Sequence, residues 1–194
     1  MIGLFLIVHI GNHLVGLSGQ AAHQAYMTAA RSIYRQPLVE APLIVLLLWQ
    51  IGSGLTMVAR GWKSRKGAVA WLQALSGLYL AFFLLNHVGA VMGGRHVLGL
   101  DTDFRFAAAG FFVAPWQLFF APYYFLALVA LGAHVGCAFY WLLQSRSMAA
   151  RQAALWTAVA VGAGLGLAFV LMLSGALFSV DIPAEYRATY GAGA

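Results

Sequence analysis

The chain has 194 residues, 62% of them hydrophobic and 8% charged, which is too apolar for a soluble domain and long enough for about five membrane helices of roughly 20 apolar residues each. The formal charge of +6 does not point to nucleic acid, because the basic residues cluster between apolar runs, where topology and anionic lipid headgroups account for them. One cysteine, Cys137, inside an apolar run, excludes a disulfide framework or a cysteine-ligated cluster within the chain and reads as a small packing residue.

The pattern predicts an all-α polytopic membrane protein, a single domain over residues 1–194 built as a bundle of five transmembrane helices. Span one is 2–17, barely long enough at about 1.5 Å per residue, so its start is expected upstream or its crossing completed by a partner. It lacks a basic n-region and a small-residue cleavage site, and so reads as a retained span. Ser18-Gly19 ends it. Residues 20–36 interleave Ala21, Tyr26 and Ile33 with His23, Arg31 and Arg35, which suits an amphipathic helix on the membrane surface, stopped by Pro37.

Span two is 41–59, closed by the basic group Arg60, Lys63, Arg65 and Lys66. Span three is 69–92, followed by Gly93-Gly94 and a loop carrying Arg95, His96, Asp101, Asp103 and Arg105. Pro115 and Pro122 are expected to split the next apolar stretch into an interfacial segment, 111–120, and span four, 123–143. Span five is 153–178, where Gly162, Gly164 and Gly166 favour close helix packing.

The second and fourth loops together hold six Lys and Arg, against five in the other segments, which also hold all the acidic residues. The N-terminus and the even-numbered loops are therefore expected in the cytoplasm and the C-terminus outside, in the cell inner (cytoplasmic) membrane. With spans one and three running outward, His9 and His87 lie roughly 12 and 8 Å from the outer face, while Gln50 and His134 each lie roughly 14 Å from the inner face.

Two histidines of different helices at one depth suit a haem held between them, or a hydrogen bond to each other or to a backbone carbonyl. The residues alone leave both open. His13, four residues after His9 on the same helix face, is an alternative ligand. His23 and His96, in surface segments, are expected to be solvated. Glu40, at the outer end of span two, is a candidate proton acceptor for quinol chemistry or an interfacial partner of Arg31 or Arg35.

Over nearly its whole length the chain resembles the single-chain, five-helix cytochrome b membrane subunit of succinate:quinone oxidoreductases and quinol:fumarate reductases. Ser76-Gly77, followed ten residues after the glycine by His87, resembles the family's third helix. His9, Gly19 and Gln24-Ala25-Tyr26 resemble its first; Pro115, Tyr124 and the run Leu131 to Gly136 around His134 resemble its fourth. In span two Glu40 and Gly54 fit, but Gln50 stands where the family has a ligand histidine.

The resemblance implies a haem b held by His9 and His87, with His134 as a further cofactor ligand lacking its usual partner, so one haem is expected, with none or two kept open. It implies a quinone as substrate, with Glu40 and Gln50 on the quinone or proton path. It also implies flavoprotein and iron-sulfur partner subunits at the cytoplasmic face, docked in part on Arg60, Lys63, Arg65 and Lys66. No nucleotide-binding loop, cysteine cluster or soluble domain is legible, so the chain is not expected to be catalytic alone. The rival readings are a cytochrome b of another quinone-linked respiratory complex, and a haem-free anchor or small histidine-containing transporter.

Overall fold

The computed structural model describes residues 1–191, and every regular element among them is helical. The last three residues of the expected domain lie outside the described residues. Four helices are long and apolar enough to cross a membrane: α3 (Pro37–Gly61), α4 (Ala68–His96), α6 (Gln117–Leu142) and α7 (Met148–Leu173). They are preceded by α1 (Ile2–Gly16) and the amphipathic α2 (Gln20–Tyr34); α5 (Phe104–Ala108) continues into a 3-10 turn, and a short α8 (Ala184–Ala188) follows. At 15 residues, α1 is apolar but only about 22 Å long.

Local chemistry sets these boundaries. Gly19 takes φ 124°, a conformation that L side chains rarely adopt, and so lets the chain turn from α1 into α2. Pro37 opens α3, where its missing N–H costs no intrahelical bond. Asp103 caps α5, its Oδ1 accepting from the backbone N–H of Arg105 at 2.8 Å and of Phe106 at 3.3 Å.

Four helices differ from their expected extents, α3 by running from Pro37 to Gly61 and not from 41 to 59. α4 does not stop at Met92 but runs through Gly93-Gly94 to His96, because Gly94 leaves room for the Phe106 ring, which would lie 2.6 Å from a Cβ there. α6 begins at Gln117 with Pro122 inside it, so that proline costs one backbone bond instead of breaking the helix. α7 begins at Met148 and ends at Leu173, where Gly175 at φ 78° closes it with Ala176 N–H on Leu171 O at 3.0 Å and Gly175 N–H on Met172 O at 3.3 Å.

The chain divides into two compact units. The first comprises Met1–Ile51, Ala90–Ala121 and the chain from Ala168 onward. Phe104, Met172 and Ile182 are buried at its centre. Its polar clasp is made by Arg31, which donates to Asp101 Oδ1 at 2.8 Å and to Thr102 O at 2.6 Å, and by Arg35, which donates to Thr102 Oγ1 at 3.0 Å. Burial and the neighbouring Arg31 charge hold the Arg35 guanidinium below its ordinary pKa.

The second unit comprises Gly52–Gly89 and Pro122–Leu167. Its interior is built from small residues, among them Ala74, Ala127, Ala130 and Ala133, with Cys137, Tyr140 and Leu155 beside them. Such residues let helix backbones approach closely. Tyr79 Oη donates to Tyr123 O at 3.0 Å, and Tyr123 Oη donates to Phe83 O at 3.2 Å, a reciprocal tie between α4 and α6. Cys137 is buried in this core, as its apolar surroundings in the sequence imply.

Candidate functional site

The first unit gathers three histidines. His9 stacks on Phe5, one helical turn earlier, with ring centroids 5.6 Å apart and planes 13° from parallel. His13 meets His9 edge-on at 4.9 Å and lies 5.3 Å from His23, with Phe169 of α7 at 5.2 Å. These imidazoles form a continuous row from α1 onto α2.

His23 corrects the expectation of a solvated side chain, for it is only 3% exposed. Asn12 explains why. An amide inside an apolar helix needs a partner, and α2 folds back to supply one: Asn12 Nδ2 lies 3.1 Å from His23 Nε2. Gly16 makes room for the ring, since a Cβ there would lie 2.8 Å from His23 Cδ2. Asn12 Oδ1 and His23 Nδ1 are buried without a hydrogen-bond partner among the described residues. Burial, then the neighbouring His9 and Arg31, pushes the His23 pKa down to about 4, so the imidazole is neutral at physiological pH. His96, by contrast, is exposed, its Nε2 accepting from Arg95 Nε at 3.2 Å.

Glu40 lies in the same unit, and neither Arg31 nor Arg35 is the cation that holds it. Arg95 at the end of α4 donates to both its carboxylate oxygens, each at 2.7 Å. This two-pronged pairing, about four-fifths buried on both sides, keeps the carboxylate charged and oriented. Gln50 lies on an exposed face of α3.

The second unit holds the other two candidate histidines. His87 is half-buried and stacks on Phe83 at 5.2 Å, planes 12° apart, repeating the Phe-x-x-x-His arrangement of α1. His134 on α6 lies against Ser76 and Gly77 of α4, with Ser76 Oγ 3.4 Å from its Nδ1. The basic loop after α3 lies here too. Arg60, Lys63 and Lys66 are exposed, while Arg65 folds over Trp71 at 5.4 Å, and Trp71 meets Trp62 edge-on at 4.9 Å.

Among the described residues no group of three or more His, Cys, Asp or Glu is arranged to hold a metal ion directly. A haem asks less, one or two imidazoles in apolar surroundings, and the donor chemistry of His9, His87 and His134 fits that requirement. Each ring is braced: the first two by a phenylalanine one turn away, the third by a serine hydroxyl on Nδ1, the nitrogen a haem ligand keeps protonated. The paired phenylalanines were legible as a repeated spacing and were missed; the Ser76 contact, 58 residues away in sequence, was not legible. Comparison with known proteins finds no matching family model, no matching curated protein and no matching solved structure.

Proposed function

We propose that this chain is a membrane-anchoring cytochrome b subunit of the succinate:quinone oxidoreductase and quinol:fumarate reductase type. It crosses the cell inner membrane five times with its N-terminus in the cytoplasm, α1 being the fifth, shorter crossing. It passes electrons between an iron-sulfur subunit and membrane quinone. The observation that carries this reading is the bracing of three half-buried imidazoles on apolar helices, at the positions the family resemblance marks as ligands.

In this reading His9 and His87 would hold one haem b. A haem bound there would supply one-electron chemistry, coupling a two-electron quinone to iron-sulfur carriers. The protein's part is to fix the rings: Phe5 and Phe83 limit their rotation and exclude water from one face. Glu40, oriented by Arg95, and Gln50 serve quinone or proton traffic. Arg60, Lys63 and Lys66 remain exposed for docking the flavoprotein and iron-sulfur subunits, whereas Arg65 is engaged with Trp71.

The test is a reduced-minus-oxidised optical spectrum of the purified protein, together with identification of copurifying subunits. A cytochrome b difference spectrum is expected in the wild type and in His96→Ala, and its loss in His87→Ala. A wild type without haem absorbance, or a His87→Ala protein with undiminished signal, overturns the assignment. Haem with a different set of copurifying subunits would place the chain in another quinone-linked complex.

A further inference from the structure

The Ser76-Gly77 pair stands ten residues before His87, about 15 Å along the helix, so it cannot touch that ring. What it touches is His134. A Cβ added to Gly77 would lie 3.2 Å from His134 Cε1 and 3.4 Å from its Nδ1, so the missing side chain is what admits the imidazole against α4.

Ser76 then decides where the imidazole proton sits. Its hydroxyl carries one hydrogen, and that hydrogen is donated to Gln73 O one turn back at 3.1 Å. Gln73 O is the nearer of the two acceptors in reach, which leaves Oγ, 3.4 Å from His134 Nδ1, to accept from the ring. Ser76 is 5% exposed, so water does not readily replace it. With Nδ1 protonated, Nε2 is the nitrogen that carries the lone pair.

We propose that Ser76 and Gly77 are positioning residues for His134. They lock it as the Nδ1–H tautomer and so present Nε2 as a bare donor, the form that ligates haem iron. The identity of the ligand rests on the cytochrome reading above; the tautomer does not. The arrangement also gives the Ser-Gly pair a task of its own: it serves an imidazole on another helix.

The experiment is nitrogen-proton correlation NMR of the full-length protein labelled with 15N-histidine, purified in detergent and held reduced, so that any bound haem iron is in its ferrous state. His134→Gln identifies the His134 signals by their loss. The expected result is a slowly exchanging Nδ1–H cross-peak in the wild type, shifted and lost to solvent exchange in Ser76→Ala, and restored in Ser76→Thr, which keeps the hydroxyl. Gly77→Ala should move the same cross-peak by displacing the ring, with the others in place. A wild-type proton on Nε2, or a cross-peak unchanged in Ser76→Ala, overturns the proposal. The cross-peak pattern with no haem in the optical spectrum upholds the positioning role while ending the cytochrome reading. Haem together with an Nδ1–H cross-peak that ignores Ser76 does the reverse.

Discussion

Replacing Gly162 by alanine should push α7 away from α6 and destabilise the second unit, whereas the same change two residues on should not. A Cβ at Gly162 would overlap the Leu128 carbonyl oxygen and lie 3.1 Å from Gly132 Cα. Carbon atoms pack at about 3.5–4.0 Å, so the helices must part by roughly 0.5–1 Å, enough to forfeit a quarter to a half of each facing contact. Overpacking of this kind costs about 1–3 kcal/mol. Gly164 has nothing within 4 Å, so Gly164→Ala meets no obstacle and gains up to about 1 kcal/mol of helix propensity. The two variants should then differ by about 1–4 kcal/mol. Detergent-solubilised protein titrated with sodium dodecyl sulfate, followed by far-ultraviolet circular dichroism, reads the difference as a shift in unfolding midpoint. Equal midpoints, or a Gly164→Ala protein less stable than Gly162→Ala, would refute the close-packing argument.

His23 must stay neutral where it is buried, so its folded pKa of about 4 lies below the unfolded value of 6.5. Its contribution is intact above pH 6.5 and lost as pH falls from there towards 4; linkage caps the loss at about 3 kcal/mol. Thermal melts from pH 7.5 to 4 should therefore fall more steeply for the wild type than for His23→Gln, and parallel curves would contradict this. Glu40→Gln leaves the Arg95 guanidinium four-fifths buried opposite a neutral amide, which should cost about 1–3 kcal/mol. Arg95→Gln combined with Glu40→Gln should recover part of that loss, and strictly additive melting shifts would show that the two side chains do not interact.

The helical content and the apolar character of α3, α4, α6 and α7 were legible because twenty or more apolar residues between basic groups admit few other structures. The amphipathic α2 was legible from its alternation of small apolar and cationic side chains. Helix ends were less so, for tertiary reasons. Gly93-Gly94 reads as a stop, yet Phe106 packs where a Gly94 side chain would be, and α4 continues over it. Pro122 reads as a break, but backbone bonds from Phe119 and Phe120 to Trp116 O have already begun the helix, and losing one later bond does not end it.

The histidines separate what a sequence states from what it implies. His23 read as solvated because it stands in a segment expected at the membrane surface; the decisive clue was Asn12, an amide stranded in an apolar helix and demanding a partner eleven residues away. The Ser76-Gly77 pair was grouped with His87 by the spacing of the family resemblance, yet a side chain can brace an imidazole only by touching it, and the ring that the pair touches is that of His134. His9 and His87, whose braces stand four residues away on their own helices, were the ones that spacing alone could have supported. Local braces repeat as a pattern along the chain; a brace from another helix leaves no such trace, and only the packing of α4 on α6 reveals it.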